Sequence, residues 1–114
     1  MAAPETPLAP GEQVVKAGRV NLQRGVETVG GRAWLTDQRL LFEAHAFNVQ
    51  KGAESIQLSD IRTVRRAWTK FLGFVPIAYN SVLMTTADGG EHRLVTSRSS
   101  TWVAEIDRLR GVGS

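Results

Sequence analysis

Most of this chain alternates apolar and polar side chains with a period of two, and only its final segment changes to a helical period. Val20 and Leu22, for example, alternate with polar neighbours, which is typical of a half-buried strand. In the final segment Trp102, Ile106 and Leu109 fall at positions i, i+4 and i+7, which places them on one apolar stripe of a helix. The pattern therefore predicts short antiparallel strands followed by one amphipathic helix.

Turn signals divide the alternating region into separate strands. Asp88-Gly89-Gly90 lies between two strand-like runs and predicts a tight hairpin, because these residues accept the positive φ angles of such turns. The remaining strands are predicted at Gly11–Gln23, Gly31–Thr36, Leu40–Glu43, Ser55–Leu58 and Arg62–Thr69.

Three local features are less regular. Ile61 and Val64 differ in parity, so we expect a bulge or a turn after Ile61. The segment Lys70–Asn80 is rich in apolar residues but does not alternate, and we predict it to be a loop. Ser99 or Ser100 is expected to cap the helix, and Gly111 to end it.

About seven strands and one helix predict a mainly β fold. Two antiparallel sheets would form a split β-barrel, and the C-terminal helix would cover its open end with apolar side chains. Residues 11–110 are then a single domain. Residues 1–10 contain three prolines and are expected to be a disordered leader, and residues 111–114 a flexible tail.

The composition argues against catalytic and metal-dependent functions. The chain has no cysteine, which excludes a disulfide or a thiolate metal site, and it has only two histidines, His45 and His92. It contains no nucleophile elbow, no phosphate-cradling glycine loop and no paired-acid cluster. We therefore expect no enzyme activity, no cofactor and no metal.

The absence of a signal peptide and of a long apolar stretch favours a cytoplasmic protein, peripheral at the inner face of the membrane.

Positive charge is concentrated in the second half of the chain. Residues 1–60 hold six Lys/Arg and seven Asp/Glu, a net charge of −1, whereas residues 61–114 hold eight and four, a net charge of +4. Part of this excess falls in a stretch without acids that runs directly into the apolar segment 70–80. Cations beside aromatic side chains suit a surface that docks onto anionic lipid or an acidic partner.

The candidate contact residues combine both types of side chain. They are Arg62, Arg65, Arg66, Trp68, Lys70, Phe71, Leu72, Phe74, Val75, Arg93 and Arg98. Two alternatives stay open at this point: the arginines could be an ordinary solvated strand face, and half of the apolar side chains could fold back into the core. Nucleic acid is not an expected partner, because no recognition helix or stacking strand accompanies the basic residues.

The order of these elements resembles the GRAM family, a branch of the pleckstrin-homology-like proteins. Gly30-Gly31-x-Ala33-Trp34-Leu35-Thr36-Asp37-x-Arg39-Leu40-x-Phe42 is similar to the GRAM signature, although Ala33 stands where a larger aliphatic residue is usual. His45-x-Phe47-Asn48 looks like the form found in bacterial members. The segment Ile56–Ile61 and the aromatic Trp102 also match, so the resemblance covers roughly residues 11–109.

The resemblance implies a non-catalytic docking module that recognises anionic lipid, a membrane surface or a protein. The alternative is a protein-interaction or self-association module, a homo-oligomer, with no lipid binding. In pleckstrin relatives that hold inositol phosphates, the usual site lies between the first two strands. Here that connection has few basic residues, so specific phosphoinositide binding is not expected.

Overall fold

The computed structural model describes residues 3–24, 27–45, 53–71 and 75–111. Within these ranges the chain forms seven antiparallel strands, one short 3-10 helix and one C-terminal α-helix. The strands are β1 (Val14–Arg24), β2 (Glu27–Thr36), β3 (Arg39–Ala44), β4 (Glu54–Gln57), β5 (Ile61–Phe71), β6 (Val75–Thr86) and β7 (Glu91–Val95). The 3-10 helix spans Leu58–Asp60 and the α-helix α1 spans Ser99–Arg110. The predicted mainly β fold with a closing helix is confirmed.

Hydrogen bonding joins the two expected halves into one continuous sheet with the order β4-β3-β2-β1-β7-β6-β5. The connection is made by β1, which pairs with β2 along one edge and with β7 along the other. Of the described residues of β1, only Asn21–Gln23 pair with β7. The sheet is not closed, because β4 and β5 stand at its two ends.

The core lies between the inner face of the sheet and α1. Ala33 and Leu35 of β2 are fully buried in it, and so are Val82 and Met84 of β6. The helix completes this core with the predicted stripe: Trp102 and Ile106 are buried, and Leu109 packs partly buried against them.

The hairpin between β6 and β7 is confirmed. The Asp88 carboxylate accepts hydrogen bonds from the Thr86 hydroxyl at 2.5 Å and from the Gly90 N–H at 2.9 Å. Gly89 has a φ of 86°, a conformation that glycine adopts without strain. The two hydrogen bonds lower the pKa of Asp88 and keep it ionised in the turn.

The start of α1 differs from the prediction, whereas its end agrees with it. Arg98 stands at the N-cap and makes no side-chain capping bond. Ser99 is instead the first helical residue, and its hydroxyl accepts a hydrogen bond from Arg66 of β5 at 3.0 Å. Gly111 ends the helix in the left-handed conformation, with a φ of 78°.

The prediction of a loop at Lys70–Asn80 is wrong for most of this segment. Strand β5 continues to Phe71 and β6 begins at Val75, so the two strands form a long hairpin whose residues 72–74 lie outside the described ranges. The expected irregularity after Ile61 is present as a register shift between Ile61 and Thr63. Further shifts follow Ala67, around Trp68.

The leader makes more contact with the sheet than its composition predicts. The Glu43 carboxylate of β3 accepts hydrogen bonds from the Thr6 N–H at 2.8 Å and from the Thr6 hydroxyl at 2.7 Å. Just after the leader, Glu12, whose side chain is buried, pairs with Arg39 at 2.9 Å and accepts a bond from the Thr36 hydroxyl at 2.6 Å. Arg39 also donates to the Pro7 carbonyl oxygen. The leader is thus tied to the hairpin formed by β2 and β3.

We predict that Glu12→Gln destabilises the protein by about 2–4 kcal/mol, because it leaves the mostly buried Arg39 guanidinium without its counter-charge. Urea denaturation at neutral pH measures this change. The control is Glu105→Gln, which removes a surface ion pair with Arg108 and should cost at most about 0.5 kcal/mol. Equal losses in the two variants would contradict the role given to Glu12.

The same pair gives the stability a dependence on pH. Burial raises the pKa of Glu12, but hydrogen bonds from Arg39, Thr36 and the Ala9 N–H, with the charge of Arg39, outweigh burial and lower the pKa below its ordinary value. A lowered folded-state pKa stabilises the protein above the unfolded-state value, and this contribution is lost as the pH falls through the folded-state pKa. The stability difference between wild type and Glu12→Gln should therefore shrink in acid.

Candidate functional site

Two aromatic side chains project into solvent where the hairpin of β5 and β6 is irregular. Trp68 is 51% exposed and Tyr79 is 46% exposed, and they are the exposed large hydrophobic residues among those whose side chains are described. Their ring centroids are 5.5 Å apart, with planes tilted by 55°. This geometry is favourable for aromatic pairs. The register shifts around Trp68 interrupt the regular pairing of β5 with β6 at this point.

Arg66 fixes this aromatic pair to the rest of the fold. Its guanidinium lies 4.7 Å from the centroid of the Tyr79 ring and donates to the Tyr79 carbonyl oxygen at 3.0 Å. It also donates to the Ser99 hydroxyl at the start of α1. In register, Arg66 is opposite Val82, a core residue, and therefore belongs to the inner face of the sheet. Arg66 thus connects strand, helix and aromatic pair.

Arg65 and Arg93 lie on the outer face. Arg65 is opposite Leu83, and Leu83 is opposite Arg93, so the three side chains form one row across β5, β6 and β7. The two arginine backbones are then about 10 Å apart, two strand spacings. Leu83 between them is only 5% exposed, although it faces away from the core. Arg93 also donates a hydrogen bond to the Trp68 carbonyl oxygen, which links this row to the aromatic pair.

The predicted basic residues do not form one continuous surface. Arg98 is exposed at the start of α1, next to the helical residue that Arg66 contacts. Arg62 is six residues from Trp68 along β5, about 20 Å in an extended strand, and its carbonyl oxygen accepts a bond from Arg110. Arg65, Arg66, Trp68, Arg93 and Arg98 therefore gather around one end of the hairpin, and Arg62 lies apart.

The other predicted contact residues lie outside what the structure describes. For Lys70, Phe71 and Val75 it describes the backbone but not the side chain, and Leu72 and Phe74 fall outside the described ranges. Tyr79 belongs to the apolar segment 70–80 that the sequence singled out, and the structure pairs it with Trp68. Ser99 is the addition that the structure makes to the predicted set. Its role could not be assigned from sequence, because it depends on Arg66, 33 positions away.

Two cavities lined in part by β4 residues, the seam cavities, carry acidic groups in their walls. One cavity of about 580 Å³ includes Glu54 of β4 and Glu91 of β7 in its wall, beside His92. A neighbouring cavity of about 270 Å³ includes Asp60 and Asp88. Carboxylates repel phosphate, so these cavities are poor sites for inositol phosphates.

Two further surveys cover the described part of the chain. None of its helices is long and apolar enough to span a membrane. Nor do three or more His, Asp or Glu side chains meet there as a metal-binding group.

Comparison with known proteins finds similar solved structures but no matching sequence family. No known family profile matches the sequence, and no curated protein matches it. Among solved structures, the chain is similar to the C-terminal domain of an unknown protein from Leishmania infantum, with a TM-score of 0.72, 14% identity, and 89% and 86% of the two chains covered.

Two pleckstrin-homology (PH) domains are also similar. The Vps36 N-terminal PH domain has a TM-score of 0.69 and 20% identity over 92% of this chain and 83% of that one. The Slm1 PH domain, in complex with phosphoserine, has a TM-score of 0.64 and 16% identity over 87% and 97%. The chain has a PH-like fold. At these identities the likeness establishes the fold alone.

We predict that Arg66 and Arg65 differ in their effect on stability. Arg66→Ala should cost about 1–3 kcal/mol, because it removes two hydrogen bonds and the stacking on Tyr79. Arg65→Ala should cost less than about 0.5 kcal/mol, since its hydrogen bond is a 3.3 Å contact at an exposed position. Thermal and urea denaturation measure both variants, and similar losses would show that Arg66 does not connect the strand to the helix.

Proposed function

We propose that this protein is a non-catalytic docking module that attaches to anionic membrane surfaces through the aromatic end of the β5–β6 hairpin. The observation that carries the proposal is the exposed aromatic pair Trp68 and Tyr79 with arginines on both sides of it. The PH-like fold supports a binding role for lipids or proteins in general. The GRAM-like motif at residues 30–42 and the His45-x-Phe47-Asn48 sequence after it support the narrower assignment to a GRAM-type module of the bacterial kind.

The aromatic pair suits the interfacial layer of a membrane. Tryptophan and tyrosine have apolar rings with one polar atom, and they prefer the headgroup level of a bilayer. The sequence between them adds Phe71, Leu72 and Phe74, which would deepen the apolar contact. A shallow insertion of this kind needs no enclosed pocket, in keeping with the acidic character of the seam cavities.

The arginines supply the attraction to anionic lipid. None of Arg65, Arg93 and Arg98 has a carboxylate within ion-pair distance in the part of the chain that the structure describes. Strand β6 contains no charged residue, so the hairpin carries positive charge without compensation. Each cation near an anionic surface contributes about 1 kcal/mol. A peripheral cytoplasmic protein at the inner membrane face fits this arrangement.

The test is co-sedimentation with vesicles of phosphatidylcholine alone and with added phosphatidylserine, at low and physiological salt. We expect binding only to the anionic vesicles, weakened by salt. Arg65→Glu removes one attractive charge and adds a repulsive one. It should weaken binding by about 2 kcal/mol, roughly 30-fold.

Two matched variants complete the design. Trp68→Ala/Tyr79→Ala should reduce anionic binding by about tenfold or more, because it removes the exposed rings while leaving the described arginines in place. Arg108→Glu makes the same charge reversal as Arg65→Glu, but on the exposed end of α1. It should leave binding nearly unchanged. Binding that is lost equally in Arg108→Glu and Arg65→Glu would indicate a net-charge effect, and no binding to either vesicle would overturn the membrane role.

A further inference from the structure

The free edge of β5 is the longest unpaired backbone in the sheet as far as it is described. Strand β5 has 11 residues and pairs only with β6, whereas β4, at the opposite end of the sheet, has four. A terminal strand presents N–H and C=O groups that can pair with another chain. Proteins commonly recognise extended peptides by adding them to such an edge.

The middle of β5 is regular enough to accept a new strand. Thr63–Ala67 pair one by one with residues 81–85 of β6, between the register shift after Ile61 and the one after Ala67. In a regular antiparallel strand every second residue directs its backbone groups away from the neighbour already paired. Thr63–Ala67 therefore offer a short uninterrupted ladder on their outer side.

Arginine side chains donate hydrogen bonds to backbone carbonyl oxygens at both ends of this segment. Arg110 donates to the Arg62 carbonyl oxygen at 2.7 Å, and Arg93 donates to that of Trp68. Between them, the side-chain contacts that the described residues make to the Arg66 carbonyl oxygen are longer, 3.3 Å from Arg65 and 3.4 Å from the Tyr79 hydroxyl. These two contacts come from exposed side chains, which an incoming backbone N–H could displace.

The charge of the edge selects the kind of partner. Strand β5 carries Arg62, Arg65, Arg66 and Lys70 and no acidic residue, and its neighbour β6 has no charged residue. In an added strand, side chains directly opposite Arg65 would be close enough for ion pairs, and like charges there would repel. A basic edge therefore favours an extended segment with alternating acids and disfavours a second copy of the same strand.

We propose that the edge of β5 at Thr63–Ala67 binds an extended acidic peptide of a partner protein by adding it to the sheet as an eighth strand. This inference extends the docking role proposed above but does not depend on lipid binding. A lipid headgroup could neutralise the arginines, yet it has no backbone with which to pair the edge. The peptide would lie beside the aromatic end of the hairpin and would compete with the membrane for Arg65.

The experiment uses the full chain and a fluorescein-labelled peptide of alternating Glu and Val. Fluorescence anisotropy should show saturable binding, and an alternating Lys-Val peptide should not bind. The deciding probe is the Glu-Val peptide with alternate backbone amides N-methylated. It keeps every charge but loses the N–H donors of one edge, and its affinity should fall about tenfold or more. Equal affinity of the two Glu-Val peptides would overturn strand addition in favour of plain charge attraction.

Hydrogen exchange locates the contact. Peptide binding should slow exchange at alternate amides within Thr63–Ala67, and protection confined to other strands would contradict the proposal. Arg65→Glu should weaken the peptide about tenfold, while the control Arg108→Glu should not. Self-association of the chain through β5, seen as a concentration-dependent change in mass with the same protected amides, would assign the edge to a second copy and overturn the acidic-peptide proposal.

The two proposals can fail separately. Trp68→Ala/Tyr79→Ala should lose vesicle binding and keep the peptide, because Thr63–Ala67 remain intact. A protein that binds the Glu-Val peptide but no vesicle would refute the membrane role alone. One that binds vesicles but not the peptide would refute strand addition alone.

Discussion

The pairing of β1 along both of its edges is the constraint on which this fold depends. Asn21–Gln23 pair with β7 on one side while the same residues pair with β2 on the other. These three residues carry the described ladder between β1–β4 and β5–β7. Val20 and Leu22, on the inner face of β1, meet the same core as Leu94 of β7. Backbone pairing and core burial thus reinforce each other at the junction.

The helix α1 covers the part of the core that the sheet leaves open. Because the sheet stays open between β4 and β5, its inner face would expose apolar side chains, and Trp102 and Ile106 cover them. The Arg66–Ser99 hydrogen bond then ties the start of the helix to β5. The same Arg66 guanidinium lies over the Tyr79 ring, so this hydrogen bond also helps to fix the position of the aromatic pair. The proposed docking surface is in this way supported by Arg66, a residue that is itself part of the scaffold.

Features set by neighbouring residues could be predicted from sequence. The hairpin at Asp88-Gly89-Gly90 and the stripe of Trp102, Ile106 and Leu109 are local patterns, and both are confirmed. The segment 70–80 misled the prediction because Pro76 and the missing alternation are typical of loops. In the structure Pro76 pairs with Lys70 beside a register shift, a position where a strand tolerates proline.

Features set by distant residues could not be predicted. Ser99 is a reasonable cap by composition, but Arg66 engages its hydroxyl from 33 positions away. Residues 1–10 have a disorder-like composition, yet Thr6 bonds to Glu43, 37 positions later. Just after them, Glu12 pairs with Arg39, 27 positions later. The candidate site shows the same limit: charge clustering pointed to this hairpin, but it could not separate Arg66 on the inner face from Arg65 and Arg93 on the outer one.

Intrinsic tryptophan fluorescence tests the central claim, the insertion of the aromatic end into a membrane, most directly. Of the three tryptophans, Trp34 and Trp102 are buried, at 5% and 3% exposure, and Trp68 is 51% exposed. A change on vesicle binding therefore reports on Trp68. The account predicts a blue-shifted emission and reduced acrylamide quenching with anionic vesicles, both absent in Trp68→Phe. An unchanged spectrum in a protein that co-sediments with those vesicles would contradict it, because the protein would then dock through another face.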